Sequence, residues 1–130
     1  MIVLDASAAV DLLLSTARGP HVAGALAGEI EAHVPELFEP EVLAVVRRWL
    51  LRGWITPEVA DRAVAELGEL ALVRHGHAPL RSRVWSLRGR CSSYDACYVA
   101  LAESLGAGLL TTDERLGRAA GGLVDVRPLA

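Results

Sequence analysis

The feature that most constrains this chain is its first segment, in which three apolar residues run directly into a carboxylate. Ile2, Val3 and Leu4 precede Asp5, and a short run that is apolar on both faces is typical of a strand buried in a parallel sheet. In open α/β sheets the functional crevice lies beyond the carboxyl ends of the strands. Asp5 therefore marks either a site of chemistry or an ordinary strand end, where turn-forming aspartates are common. Ser7 is the predicted N-cap of the helix that follows.

Apolar runs and amphipathic stretches alternate along the rest of the chain, which is the pattern of an α/β protein. Strands are predicted over residues 2–4, 30–34, 70–73, 108–110 and 123–126. Helices are predicted over residues 7–15, 21–28, 36–52, 57–67, 79–87, 92–105 and 113–119. We therefore expect one α/β domain over residues 1–130, a three-layer α/β/α arrangement with a parallel sheet of four or five strands.

The composition limits the classes of function. The formal net charge of −3 argues against a generally basic nucleic-acid binder, and all 13 basic residues are arginine. No apolar run approaches the ~18 residues of a membrane span, and no secretory leader precedes the first strand, so we expect a cytoplasmic protein without a membrane. Cys91 and Cys97 fit no zinc spacing and are interpreted as reduced structural thiols. No glycine-rich phosphate loop is present, which argues against a nucleotide cofactor.

Four acidic residues stand out because they follow predicted strands or lie among apolar neighbours: Asp5, Glu41, Asp95 and Asp113. Asp5 and Asp113 each end an apolar run. Asp95 begins a helix whose stripe of small residues allows it to lie close against the sheet. The helical neighbours of Glu41 are apolar, so this carboxylate points toward the core side of its helix.

Each of these acids also has a purely structural interpretation. Asp95 fits a capping box with Ser92, Asp113 fits an N-cap or a first-turn acid, and Glu41 is able to pair with Arg48. If the first and fourth strands are neighbours, however, the two strand-end aspartates lie side by side and the other two acids face the same crevice. Clustered carboxylates raise one another's pKa unless a cation neutralises them. Acidic oxygen ligands suit Mg²⁺ or Mn²⁺, ions that activate water and stabilise phosphoryl charge.

Four segments together make a resemblance specific: MIVLDASAAV, PELFEPEVLAVVRR, SSYDACYVALAESLG and LLTTDERL. In their order and spacing they resemble the PIN-domain ribonucleases, in particular the VapC toxins of bacterial type II toxin–antitoxin pairs. The resemblance implies a single PIN domain that hydrolyses RNA phosphodiester bonds with Mg²⁺ or Mn²⁺. It also implies a VapB-type antitoxin as inhibitor and a homodimer.

The resemblance assigns residue roles position by position. Ser7 and Thr112 match the hydroxyl residues beside the first and last acids, and Ala44 stands where many relatives carry asparagine. Glu114, which follows the last acid, is interpreted as a solvated first-turn residue. The metal-binding and catalytic quartet is implied to be Asp5, Glu41, Asp95 and Asp113.

The surfaces that hold RNA or partners are less specific in the sequence. The densest basic cluster either grips RNA or forms a solvated helix face; it consists of Arg81, Arg83, Arg88 and Arg90. Candidates for an apolar contact surface, at least half of them expected in the core, are Leu12, Leu13, Leu14, Trp49, Leu50, Leu51 and Trp54.

Two other classes compete with a nuclease. A catalytically silent PIN-like module kept for protein binding is favoured slightly by Ala44 and disfavoured by four intact acids. A phospho-accepting receiver-like domain also uses an aspartate at a strand end. Such a domain needs an early acidic pair and a late lysine, and this chain contains no lysine.

Overall fold

The computed structural model describes residues 1–127, and a parallel sheet of four strands lies at its centre. The strands are β1 (Ile2–Leu4), β2 (Ala32–Pro35), β3 (Leu72–His75) and β4 (Gly108–Leu110). They lie in the order β3-β2-β1-β4, with every neighbouring pair parallel. The residues of β1 are at most 1% exposed, as the unbroken apolar run predicted for a strand covered on both faces.

Among residues 1–127, seven α-helices cover the sheet and complete a three-layer α/β/α fold. They are α1 (Ala6–Leu13), α2 (Gly19–Leu26), α3 (Phe38–Leu51), α4 (Pro57–Glu69), α5 (Arg81–Ser86), α6 (Ser93–Leu105) and α7 (Glu114–Ala120). Helix α6 packs against β1, β2 and β4, and α5 packs on α6. Helix α1 packs against α2 and α3, and α3 packs against α4. The predicted fold class is confirmed.

Local sequence signals explain where several helices begin and end. Thr56 caps α4, since its hydroxyl accepts the Val59 N–H at 3.2 Å, as its position before Pro57 predicted. Helix α3 ends before Gly53, whose φ of 72° lies in the left-handed region that glycine adopts without cost. Gly19 lies against α1, because a Cβ atom there would stand 2.8 Å from the Asp11 carbonyl oxygen.

The structure corrects two predicted helix starts. The first helix begins at Ala6, and its N-cap is Asp5, not Ser7, because the extended Asp5 backbone turns its carboxylate onto the Ser7 N–H. The Gly19-Pro20 pair, interpreted as a chain break, instead begins α2, where the fixed φ of Pro20 suits a first helical turn. The segment predicted as one helix over residues 79–87 is a short 3₁₀ turn at Ala78–Leu80 followed by α5.

The predicted fifth strand over residues 123–126 is wrong. A tight turn at Gly121 and Gly122 pairs Gly121 with Val124, which uses the first half of this segment. Only Val126 then reaches β4, in one parallel bridge with Leu109. The single domain predicted over residues 1–130 includes residues 128–130, which lie outside those described. No helix among residues 1–127 is both long and apolar enough to span a membrane.

The strand order fixes where a site can form. After β3 the chain returns to the opposite side of β1 and adds β4 there. The connections leaving the carboxyl ends of β1 and β4 therefore diverge, which creates the crevice expected at a topological switch point. The first and fourth strands, whose adjacency was the condition for the acids to cluster, are neighbours, with Leu4 in register with Leu110.

Candidate metal centre

Asp5 is the most buried acid in this crevice and lies at the carboxyl end of β1. The residue is 5% exposed, and its Oδ2 accepts the Ser7 backbone N–H at 3.3 Å. The Ser7 hydroxyl donates to the same oxygen. Within residues 1–127, every hydrogen bond to the Asp5 carboxylate falls on Oδ2, so Oδ1 is free to bind a ligand.

The hydroxyl of Thr111 connects the ends of the two central strands. It donates to Asp5 Oδ2 at 2.8 Å and accepts the Asp113 N–H at 3.0 Å. Thr112 contributes its backbone, because its N–H donates to Ser7 Oγ at 3.1 Å. At the end of β4 the hydroxyl that contacts Asp5 is that of Thr111, and the supporting role that the resemblance implies for Thr112 stays a prediction.

Glu41 lies in the first turn of α3 and is held by a residue from another helix. Its Oε1 accepts a hydrogen bond of 2.5 Å from the hydroxyl of Tyr98, which is fully buried on α6. Ala44, where many relatives carry asparagine, is exposed one turn further along α3. Tyr98 thus supplies an orienting contact to Glu41, and no ion pair joins Glu41 to Arg48 among the described residues.

Asp95 and Asp113 share one cation. The Nη2 of Arg115 lies 3.6 Å from Asp95 Oδ2 and 3.9 Å from Asp113 Oδ2. Asp113 is the N-cap of α7, where its Oδ1 accepts the Arg115 N–H at 2.9 Å. Ser92 caps α6 by accepting the Asp95 N–H at 3.2 Å, which is one of the two hydrogen bonds of the capping box considered for Asp95.

The pKa values of three acids are raised, which identifies the crevice as electrostatically unfavourable for carboxylates. Burial is the main cause for Asp5, and the hydrogen bonds from Ser7 and Thr111 oppose it. Burial also raises the pKa of Glu41 against the Tyr98 hydrogen bond, with Asp5 and Asp95 adding repulsion. The pKa of Asp95 is raised by burial, lowered by Arg115 and raised by Asp113. Each acid therefore senses at least one other.

The donor chemistry of this cluster fits a hard divalent cation. All donors are carboxylate oxygens, the ligands that Mg²⁺ and Mn²⁺ prefer. In Asp5, Glu41 and Asp113, hydrogen bonds within residues 1–127 reach only one oxygen of each carboxylate. The side chains are turned onto these local partners, and no three His, Cys, Asp or Glu residues in this range stand in a metal-holding arrangement. The described carboxylates are therefore held by local partners and are not gathered around one point.

Three of the four arginines predicted to bind RNA have partners among the described residues. Arg83 donates to both carboxylate oxygens of Glu103 at 2.8 and 2.9 Å. Arg90 donates to two backbone carbonyls at the end of α7, at 2.6 and 2.7 Å. Arg88 lies over an exposed tryptophan ring on α5, 4.9 Å from its centroid, and Arg81 is exposed. Their role in RNA binding stays a prediction, and Arg83 and Arg90 are the least available for it.

Three residues of the site were missed by the sequence analysis. Tyr98 had a signal, since it follows Asp95 by one helical turn and a buried tyrosine hydroxyl needs a partner. Arg115 had a weaker signal, because only its position two residues after Asp113 connects it to the acids. Nothing in the TT doublet distinguishes Thr111 from Thr112, because the direction of each side chain depends on how the chain leaves β4.

A parallel α/β fold with a carboxylate crevice at its switch point defines a class of proteins suited to metal-assisted chemistry. The family model of the PIN domain matches residues 2–122, and the chain belongs to this family.

Known relatives cover most of the chain. Ribonuclease VapC3 from Mycobacterium tuberculosis is 42% identical over 118 residues, which are 91% of this chain and 86% of that protein. Ribonuclease VapC12 from the same organism is 38% identical over 130 residues, the full length of both chains. The crystal structure of PAE2754 from Pyrobaculum aerophilum superposes with a TM-score of 0.73 at 23% identity, covering 96% of this chain and 83% of that one. This last similarity concerns the fold alone.

Proposed function

We propose that this chain is a divalent-metal-dependent endoribonuclease and the toxin of a type II toxin–antitoxin pair. The observation that carries the proposal is the adjacency of β1 and β4, which brings the acidic ends of both strands to one crevice. Membership of the PIN domain family and relatives named as VapC ribonucleases support it. The proposed site is Asp5, Glu41, Asp95 and Asp113.

The four acids have different proposed roles, which follow from their positions in the fold. Asp5 and Asp95 are the proposed central ligands, since both are largely buried and each raises the pKa of Glu41. Glu41 is oriented by Tyr98, and Asp113 is fixed by its role as N-cap of α7. A bound Mg²⁺ or Mn²⁺ supplies an activated water and stabilises charge on the phosphoryl group and the leaving oxygen.

The neighbouring hydroxyls keep the ligand set in place. Ser7 and Thr111 hold Oδ2 of Asp5, which leaves Oδ1 without a hydrogen bond among residues 1–127. These contacts also favour the ionised form of Asp5, because hydrogen bonds to a carboxylate lower its pKa against the effect of burial. The network therefore offsets part of the effect of burial on the pKa of Asp5.

The proposed partners are RNA, a VapB-type antitoxin and a second copy of the chain. Leu51 and Trp54, two of the apolar residues considered for such contacts, are 68% and 62% exposed. Leu13 is buried, and four further candidates pack against the core, namely Leu12, Leu14, Trp49 and Leu50. Large exposed apolar side chains near one another favour a protein contact over free solvent.

Cleavage of total bacterial RNA by the purified chain, freed of any bound partner, tests the function. Mg²⁺, Mn²⁺ and EDTA are compared for the wild type and for Asp5→Asn, with Asp61→Asn, an exposed acid on α4, as the matched control. We expect discrete fragments that require the cation, disappear in Asp5→Asn and persist in Asp61→Asn. Cleavage that persists in Asp5→Asn contradicts the proposed site. No cleavage by a folded wild type that binds Mn²⁺ favours the silent protein-binding module instead.

A further inference from the structure

The cation between Asp95 and Asp113 has a geometry unlike that of a structural salt bridge. Arg115 approaches both carboxylates through one nitrogen, Nη2, at 3.6 and 3.9 Å. Its side chain forms no hydrogen bond to either acid within residues 1–127 and is 75% exposed. A solvent-screened pair without hydrogen bonds contributes little to stability. Arg115 is therefore loosely held and can be displaced by a stronger cation at small cost.

A basic cavity adjoins this arginine. It has a volume of about 480 Å³, and its lining includes Ser92, Asp95, Arg115 and Arg118. Arg115 and Arg118 are three residues apart on α7 and so share one face of the helix. Among the described residues Arg118 has no carboxylate within ion-pair distance. Three arginines thus line a cavity that opens beside Asp95: Arg115, Arg118 and Arg90, the last of which is engaged by two backbone carbonyls.

We propose that Arg115 exchanges partners during RNA binding: a divalent cation displaces it from Asp95 and Asp113, and it then binds an RNA phosphate. This inference rests on the proposed function. The divalent cation and the guanidinium compete for the same carboxylate oxygens, so both cannot neutralise them fully. The displaced guanidinium matches the geometry of a phosphate, which it binds through two parallel hydrogen bonds.

The exchange makes RNA binding depend on the cation in a specific way. Without the cation, Arg115 is engaged by the two acids, and unneutralised carboxylates repel the RNA backbone. With the cation, the repulsion falls and one further arginine becomes available to the RNA. Arg118 has no such internal partner in the described chain, so its contribution to RNA binding should not depend on the cation.

The test compares Arg115→Gln, Arg118→Gln and Arg62→Gln, the last an exposed arginine on α4. Calorimetric titration with Mn²⁺ in the absence of RNA measures the competition directly. Fluorescence anisotropy of a labelled single-stranded RNA of mixed sequence, in Mn²⁺ or in EDTA and over a range of salt concentrations, measures the phosphate contact. A gel after each titration verifies that the RNA is intact.

We expect Arg115→Gln to bind Mn²⁺ about 3- to 10-fold more tightly than the wild type, because a competing positive charge is removed. In Mn²⁺ its RNA affinity should fall about 5- to 10-fold, and the slope of log K against log salt concentration should decrease by about 0.7, the value for one lost contact to a single strand. In EDTA the loss of RNA affinity in Arg115→Gln should be clearly smaller than in Mn²⁺, because the two acids then compete with the RNA phosphate for Arg115. Arg118→Gln should weaken RNA binding under both conditions, and Arg62→Gln under neither.

An unchanged or weakened Mn²⁺ affinity of Arg115→Gln overturns the exchange, as does an RNA affinity in Mn²⁺ equal to that of the wild type. An equal loss of RNA affinity in Mn²⁺ and in EDTA also overturns it, since Arg115 would then bind RNA without exchanging partners. Failure of the proposed function is distinguishable, because the wild type would then neither cleave nor bind RNA while the Mn²⁺ titration still tests the competition.

Discussion

At the scale of single residues, Asp5 performs two tasks with opposite requirements. As the N-cap of α1 it satisfies a backbone N–H, and a cap of this kind contributes about 1 kcal/mol. As a proposed ligand it must stay ionised while almost completely buried, although burial raises its pKa. The separation of its two oxygens resolves the conflict. Oδ2 accepts all the hydrogen bonds found within residues 1–127, and Oδ1 is left for the cation.

The two threonines after β4 allow a direct test of this network. Thr111→Val removes a donor to Asp5 and an acceptor for the Asp113 N–H at nearly constant shape, so we expect a loss of about 1–3 kcal/mol in unfolding free energy. We also expect weaker Mn²⁺ binding. Thr112→Val keeps the backbone N–H that Thr112 donates to Ser7 and should change both quantities much less. Urea unfolding and Mn²⁺ titration measure them. Equal effects of the two substitutions would contradict the assignment to Thr111.

Tyr98→Phe tests how Glu41 is oriented. The Tyr98 hydroxyl lowers the pKa of Glu41 against the effect of burial, so its removal should raise that pKa further. Because the ionised carboxylate is the required form, the acid limb of the pH profile of kcat/KM should move to higher pH, with about a tenfold loss below neutrality. Tyr94→Phe, at an exposed position on the same helix, is the control. An unshifted acid limb in Tyr98→Phe would mean that Tyr98 serves packing alone.

The residue scale also marks the limit of prediction from sequence. The proposed acids could be selected because each follows an apolar run or interrupts an apolar face, and these patterns are visible in one chain. The contacts that orient or neutralise these acids could not be predicted from the sequence. Tyr98 on α6 contacts Glu41 on α3, and the two residues are 57 positions apart in the sequence. The choice between Thr111 and Thr112 depends on how the backbone leaves β4. The loose position of Arg115 is set by the start of α7.

At the scale of elements, the outer pair of strands carries a titratable contact. His33 on β2 and His75 on β3 are joined by a hydrogen bond of 2.9 Å between Nδ1 and Nε2. The pKa of His75 is lowered by burial and by the charge of His33. A lowered pKa in the folded state means that the unfolded chain takes up the proton first. Stability is therefore complete above pH ~6.5, the ordinary pKa of histidine, and declines as the pH falls below it.

The lowered pKa of His75 gives a prediction for the pH dependence of stability at the edge of the sheet. Between pH 7.5 and 5.5 the wild type should lose unfolding free energy through this pair, by less than about 1 kcal/mol because it lies near the surface. His75→Gln should reduce the loss, and His21→Gln, at an exposed position on α2, should not. Urea unfolding of the three proteins at both pH values measures the difference. A wild type and His75→Gln with parallel pH dependence would exclude the pair as the cause.

Elements were predictable where one local signal dominated. The strand Gly108–Leu110 and the helix after Ser92 agree with the predictions almost to the residue, because an apolar run and an N-cap mark their limits. The fifth strand failed because hydrogen bonding to β4 competes with the turn at Gly121 and Gly122. The start of α2 failed because Gly-Pro breaks one helix and begins another equally well. Such competition is decided by tertiary contacts.

At the scale of the whole molecule, the proposed site joins elements that are distant in sequence. Its acids lie after β1, in α3, in α6 and before α7, so the folded chain alone brings them together. The raised pKa values of three of them indicate that the fold opposes their negative charge. A cation that neutralises this charge binds only the native arrangement, and its binding free energy then adds to the stability of the entire domain.

The last prediction follows from this linkage. Mn²⁺ at about 100 times its Kd should stabilise the wild type by about 2.7 kcal/mol, which corresponds to a rise of roughly 10 °C in Tm for a domain of this size. Asp61→Asn should show the same rise. Asp5→Asn should show little, because it lacks a ligand.

In EDTA near pH 7 the order of stability should reverse. The raised pKa of Asp5 means that its ionised form destabilises the native state above the ordinary pKa of aspartate. Asparagine keeps an acceptor for Ser7 and Thr111 without the charge, so Asp5→Asn should melt a few degrees above the wild type. In thermal unfolding, the wild type should therefore have the higher Tm in Mn²⁺, and Asp5→Asn should have the higher Tm in EDTA. A wild type that melts higher under both conditions would mean that the Asp5 carboxylate stabilises the fold without a cation.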